Sequence, residues 1–323
     1  MSKIPPILKG LRIPVVGAPL FLISNPKLVI SQCKAGIVGS MPALNARTTS
    51  LLDEWLSEIT EELASHNARY PDRPAAPFAI NQIVHKSNDR LEQDMEICAK
   101  YKVPIIITSL GAREDVNVTV HSYGGLILHD VINNTFAHKA IEKGADGLIA
   151  VATGAGGHAG VKNPFALIQE IRQWFDGPLA LAGSIASGSG ILAAQAMGAD
   201  LAYIGSPFIA THEAYASDVY KQAIVNGTSD DIVYTNFFTG VYGNYLEPSI
   251  RAAGINPDSL SESAPSKMNF TGEAKPWKDI WGCGQGIGVI KEVTSAATFV
   301  DKLYREYSVS RERLINSGAT FVE

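Results

Sequence analysis

Two decapeptides, EKGADGLIAV at 142–151 and AMGADLAYIG at 196–205, repeat one order of events: the end of a helical stretch, a Gly-Ala-Asp turn, and an apolar run of strand length. Working outward from them, apolar runs of this kind recur at 13–18, 36–40, 78–81, 104–109, 126–129, 147–151, 178–182 and 201–205. They lack polar alternation, which is the mark of parallel strands buried on both faces. Helically spaced segments separate them, among them 51–64, 89–101, 134–143, 164–175 and 188–197. Strand–helix alternation over about 200 residues fits a doubly wound sheet or a (β/α)8 barrel, and eight repeats favour the barrel. Periodicity leaves the open sheet available.

Composition sets outer limits. The chain has 323 residues, 46% of them apolar and 18% charged, enough to bury a large core. A net charge of -5 provides no basic field for a phosphate backbone, so nucleic acid is not an expected partner. Cys33, Cys98 and Cys283 are far apart and follow no metal-ligand spacing, which suits a reducing cytoplasm and no bound metal. The N-terminal MSKIPPILKG lacks a signal-peptide core, and no apolar run reaches the roughly 20 residues of a membrane span. A cytoplasmic location away from membranes is expected.

The pattern changes after residue 211. Residues 220–245 read as helical and then aromatic, residues 248–278 are rich in Pro, Ser, Asn and Gly, and residues 284–307 regain helical spacing. The expected organisation is a barrel over 1–213, a substrate-covering insertion over 214–283 between strand eight and helix eight, and a helical return over 284–323. Such an insertion would hang over the barrel mouth, where the loops that follow barrel strands carry chemistry.

Three loops stand out there. VATGAGGHAG at 151–160 sets His158 among four glycines at the end of an apolar run. Glycines let a backbone approach a ligand closely, and an imidazole near its ordinary pKa of about 6.5 suits a general base. A loop histidine with a satisfied hydrogen bond is the plainer alternative. LAGSI at 181–185 and IGSPF at 204–208 follow runs seven and eight, whose loops commonly hold phosphate in a barrel. Gly183, Ser184, Gly205 and Ser206 are therefore phosphate-site candidates, although plain βα turns with Gly and Ser caps use the same residues. Ala18, Pro19 and Leu20 end strand one and Asn81 ends strand three. A planar ring on the first three, with Asn81 at its polar edge, is one reading; an ordinary strand exit and a turn residue is the other.

The order and spacing of AP-L at 18–20, INQ at 80–82, GAGGHAG at 154–160, LAGSIASGSG at 181–190 and IGSPFIATHEA at 204–214 resemble the nitronate monooxygenases, formerly called 2-nitropropane dioxygenases. WGCGQG at 281–286 is similar to a glycine-rich turn of related flavoproteins. The resemblance implies a TIM barrel with non-covalent FMN. It implies a flavin lined by Ala18, Pro19, Leu20 and Asn81, a catalytic His158 next to Gly157, and phosphate on Gly183, Ser184, Gly205 and Ser206. It also implies a nitronate or nitroalkane and dioxygen as reactants, carbonyl compound and nitrite as products, and the homo-oligomers common among such barrels.

Departures exist. Leu20 replaces the usual Met, a tolerable apolar exchange. His129-Asp130 stands where some relatives carry His-Lys, and the aromatic segment 234–245 reproduces no tyrosine-and-lysine constellation of the best-studied members. The same barrel and Gly-His loop occur in NAD(P)H:quinone reductases and flavin-dependent enoyl-acyl-carrier-protein reductases, which are the competing readings. A flavin-free metabolite-binding barrel or a phosphosugar barrel is a further class; the latter needs strand-end acids, for which Asp130 and Asp146 are available, Asp146 reading as an αβ-turn residue. His66, His85, His121 and His138 read as surface residues, while His129 and His212 lie nearer the catalytic face.

Overall fold

The Gly-Ala-Asp repeats do the same structural work twice. In the computed structural model, which describes residues 3–261 and 279–321, Gly144 and Gly198 take left-handed φ of 93° and 113° just past the ends of α5 (Asn134–Glu142) and α7 (Gly188–Met197). Only glycine adopts that conformation without a Cβ penalty. The following alanines, Ala145 and Ala199, are buried, and the aspartates then turn back onto the neighbouring strand. Asp146 Oδ2 accepts the N–H of Ile127 at 2.8 Å, and Asp200 Oδ2 accepts that of Leu179 at 2.9 Å. Asp146 is thus the αβ-turn residue expected of it.

Eight parallel strands follow from this repeat: β1 (Val15–Gly17), β2 (Gly39–Pro42), β3 (Phe78–Ile83), β4 (Ile105–Ser109), β5 (Leu126–Val131), β6 (Gly147–Val151), β8 (Leu179–Ala182) and β9 (Leu201–Ile204). Each expected strand is present. Their order, β1-β9-β8-β6-β5-β4-β3-β2, returns to its start through a bridge between Val16 and Val38. There Gly17 N donates to Val38 O at 2.8 Å and Val38 N to Val15 O at 3.1 Å. The sheet is therefore a TIM barrel and not the open doubly wound alternative.

Between the strands lie α1 (Pro26–Lys34), α2 (Thr49–Arg69), α3 (Leu91–Lys100), α4 (Glu114–Ser122), α5, α6 (Pro164–Arg172) and α7. Residues on alternate faces of each strand divide the core in two. Val16, Ala79, Ile107, Leu128 and Ile149 fill the barrel, whereas Ile80, Ile106, Ile127, Leu148 and Leu181 pack under the helices. The N-terminal turn places Leu8 in the inner cluster.

Beyond β9 come a short α8 (Ser206–Ile209), α9 (Asp218–Asn226), β10 (Ile232–Thr235), β11 (Gly243–Leu246) and α10 (Glu247–Ala252). The aromatic stretch 234–245 is thus largely a β-hairpin and its turn. Of the stretch 248–278, rich in Pro, Ser, Asn and Gly, residues 262–278 lie outside the described residues. The chain then forms α11 (Ala296–Phe321), which packs against α7 and α1 in the position of the eighth barrel helix.

Gly188 sets the approach of α7 to α11: a Cβ there would lie 2.1 Å from Tyr307 N and 2.5 Å from Leu303 O, both backbone atoms. Its own N–H donates to Glu306 Oε2 at 2.9 Å. Gly188→Ala is expected to destabilise the protein by about 1–3 kcal/mol through overpacking, read as a lowered urea midpoint at unchanged m-value.

Candidate functional site

The loop after β6 is closed at its base, where Thr153 N donates to Lys162 O at 2.9 Å. Gly154 and Gly157 take φ of 81° and 68°, which bends the loop so that β7 (Gly157–His158) runs antiparallel to β11. His158 is paired with Gly243 and Gly157 with Asn244, and Asn244 Nδ2 donates to Ala155 O at 2.6 Å. This sheet holds the imidazole in place.

His158 Nε2 lies 3.2 Å from Thr239 Oγ1, and Thr239 directs its own hydroxyl proton to Val241 O at 3.0 Å. Burial pushes the imidazole down to a pKa of about 4, so it is neutral at pH 7.

The loops after β6, β8 and β9 meet the segment 284–286 at close range. A Cβ on Gly154 would stand 2.2 Å from Ser184 Oγ, one on Gly284 2.7 Å from Gly154 O, and one on Gly286 2.7 Å from Ser184 O. Gln285 N donates to Gly154 O, and Gly284 N to Ser206 Oγ, each at 2.9 Å. Ser184 itself takes a left-handed φ of 56° and is exposed, while Gly157 faces open space. The strand-one exit joins the same rim. Ala18 N donates to Ile204 O at 2.8 Å, and a Cβ on Gly205 would touch Leu20 Cδ2 at 3.3 Å and Ala18 Cβ at 3.5 Å. Pro19 lies between them, half-buried.

Inside the mouth the strand alternation points Asn81, Ser109 and Asp130 inward, each two residues beyond an inner-core residue. Asn81 Nδ2 donates to Ile107 O at 3.1 Å and to Ser109 Oγ at 2.7 Å. Burial pushes the Asp130 carboxyl up to about 6, with Ser109 and Leu110 near enough to oppose the rise. His129, one residue earlier, points the other way: it is buried against Thr108 Oγ1 at 2.5 Å under the helices, and burial pushes it down to about 4. It lies away from the mouth, as does His138, stacked on Trp174 at 3.7 Å. His121 is exposed and His66 half-buried.

Thr239, Gln285 and Ser109 join this site without having stood out in the sequence. Gln285 lay within a quoted glycine-rich segment, and Ser109 follows the period-two rule from Ile107; Thr239 reaches His158 across 81 residues, which no local pattern encodes.

With this geometry in view, similarity to known proteins becomes informative. A family model described as nitronate monooxygenase matches residues 7–306. The chain belongs to the nitronate monooxygenase family. It is thus a nitronate monooxygenase-like flavin oxidoreductase, an enzyme of a family acting on small molecules and oxygen. A nitronate monooxygenase of Paraburkholderia phytofirmans is 26% identical over 95% of each chain. A probable nitronate monooxygenase of Staphylococcus aureus is 22% identical over 77% of this chain and 81% of its own. In fold, a nitroalkane oxidase from Streptomyces ansochromogenes superposes with a TM-score of 0.78 at 21% identity, covering 93% of this chain and 97% of that one. FabK from Thermotoga maritima does so with a TM-score of 0.76 at 22% identity, covering 96% and 97%. Among the described residues no helix is long and apolar enough to cross a membrane.

The lowered pKa values of His129 and His158 have a definite sign. An unfolded histidine takes up its proton near pH 6.5 and these two only near 4, so their contribution to stability is intact above about 6.5 and declines as pH falls toward 4. Urea unfolding of the flavin-free protein between pH 7.5 and 4.5 is expected to show this decline, and His158→Asn to reduce its slope.

Proposed function

We propose that the chain binds FMN non-covalently across the barrel mouth and oxidises alkyl nitronates, and nitroalkanes through their nitronates, with dioxygen to carbonyl compounds and nitrite. The observation that carries this reading is the convergence of a neutral, sheet-held His158 and the glycine-packed loops after β6, β8 and β9 on one rim.

The residues present fit the cofactor. Ser184 is exposed on a loop whose backbone is packed too tightly for a Cβ at Gly154 or Gly286, and Gly183, Gly205 and Ser206 lie on the same rim. They would hold the phosphate. Ala18, Pro19 and Leu20 supply an apolar shelf beside Gly205, Gly157 borders open space, and Asn81 supplies an amide at the mouth. FMN, when bound, supplies the redox chemistry of the reaction.

The protein's share is proton handling and placement. His158, neutral at pH 7 and held beside Thr239, offers its imidazole as the base for the acidic proton on the carbon next to a nitro group. Once protonated, the same imidazole hydrogen-bonds the nitronate oxygens. The β10–β11 hairpin and its turn act as a cover, with Tyr234 and Tyr242, stacked at 5.1 Å, near the His158 loop: Tyr234 donates to Ala159 O at 3.1 Å. This wall excludes water from the reacting centre.

Anaerobic mixing of the FMN-loaded protein with propionate 3-nitronate, NADH and NADPH tests the reading, with flavin bleaching by the nitronate alone expected. Bleaching by NADPH and none by the nitronate would assign the protein to the reductase alternative, and a colourless protein that takes up no FMN would remove the flavin reading. His158→Asn is expected to lower turnover of neutral nitroalkanes by about 10²–10⁴-fold while FMN stays bound, with preformed nitronates less affected. Gly154→Ala, strained in φ and forced onto Ser184, is expected to weaken FMN binding at unchanged His158 chemistry, read by fluorescence titration.

A further inference from the structure

The exits of β5 and β6 touch beside His158. Ile132, just past β5, stands where a Cβ on Gly160 would meet its Cβ at 3.0 Å, and Gly160 is two residues from His158. Ile132 is nonetheless 40% exposed, and Val161, next to Gly160, is 69% exposed. From the other side the β10–β11 hairpin adds three exposed rings, Tyr234, Phe237 and Tyr242. Tyr242 O accepts from Ala159 N at 3.3 Å and the Tyr234 hydroxyl donates to Ala159 O at 3.1 Å. Phe237 lies two residues before Thr239, whose Oγ1 is 3.2 Å from the imidazole. Apolar residues exposed singly are ordinary on a protein surface, whereas several gathered around one imidazole mark a surface that something covers.

The charge around this patch has one sign. Residues 130–133, 157–161 and 234–243, which carry it, contain one carboxylate and no lysine or arginine. That carboxylate is Asp130. It lies two residues beyond Leu128, whose side chain fills the barrel, so strand alternation turns it into the mouth. Burial pushes it up to about 6, which leaves it ionised at pH 8. Lys162 follows Val161 at the outer end of the patch and is exposed.

We infer that Ile132, Val161 and Phe237 form a ledge for the alkyl chain of the substrate and that Asp130 turns away a carboxylate close to the reacting carbon, so that the site takes longer, uncharged alkyl nitronates in preference to carboxylated ones. This rests on the nitronate reading given above. The ledge is continuous with the His158 loop, so a chain attached to the reacting carbon runs onto it without crossing a charged group. The nitronate oxygens have the imidazole for a hydrogen-bond partner. A second anionic group two carbons away stays in the mouth, where it meets Asp130 and is repelled.

The test measures kcat/KM at pH 8 for the FMN-loaded protein with the nitronates of nitroethane, 1-nitrobutane and 1-nitrohexane. It also sets propionate 3-nitronate against the nitronate of 3-methyl-1-nitrobutane, in which an isopropyl group takes the place and shape of the carboxylate. A methylene on an open ledge is covered on one side, so kcat/KM is expected to rise about twofold for each one added, half the logarithmic gain of full burial. Propionate 3-nitronate is expected to fall at least about tenfold below its isopropyl counterpart, and Asp130→Asn to narrow that ratio to about threefold or less. Val161→Ser and Ile132→Ser are expected to flatten the dependence on chain length. Calorimetric titration of His158→Asn, which consumes neutral nitroalkanes slowly, reads the same dependence in Kd without turnover. A flat chain-length dependence in the wild type, or propionate 3-nitronate used as well as its isopropyl counterpart, overturns the inference and leaves the nitronate reading standing, even if a variant fails to fold. A charged-to-neutral ratio that Asp130→Asn leaves unmoved in a folded protein overturns the role of Asp130. Oxidation of none of these nitronates removes the functional reading and the inference with it.

Discussion

Three backbone segments meet where there is no room for a Cβ. Gly154, Ser184, Gly284 and Gly286 approach so closely that a methyl on any of these glycines would fall within 2.2–2.7 Å of a neighbouring atom. These contacts tie the loops after the sixth and seventh barrel strands to the segment that leads into α11, and Ser206 adds the loop after the eighth through Gly284 N. The rest of the site depends on that junction. It brings the rim of the barrel and the returning chain into one surface, through backbone groups and the hydroxyls of Ser184 and Ser206.

From that surface the second sheet takes its meaning. β7 is two residues long and has no stability of its own; it exists because β11 supplies a partner. His158 is therefore positioned by a hairpin that arrives from the far side of the chain, and its neutrality follows from burial there. The mouth thus combines an uncharged imidazole with a carboxyl whose acidity burial weakens.

Much of this was readable in the chain. Each apolar run became a barrel strand because a parallel strand covered on both faces needs no polar residues, and each Gly-Ala-Asp turn became the same helix exit with the aspartate on the neighbouring strand's N–H. Period two also separates His129 from Asp130, one under the helices and one in the mouth, but only after the eight runs are known to close into a barrel, since an open sheet has no inside. The β10–β11 hairpin was less legible: YTNFFTGVYGNY carries aromatics without clean alternation, and its partner lies about 80 residues upstream.

The sequence by itself determined the repeating βα unit, the helix exits and the residue types available at the strand ends, because these depend on local backbone preference and on burial of contiguous apolar runs. Only the tertiary structure decided that the rim loops pack onto residues 284–286, that Thr239 faces His158, and that Asn81 meets Ser109. Those contacts join segments far apart in the chain, and what fixes them is the closure of the barrel and the space left by missing Cβ atoms.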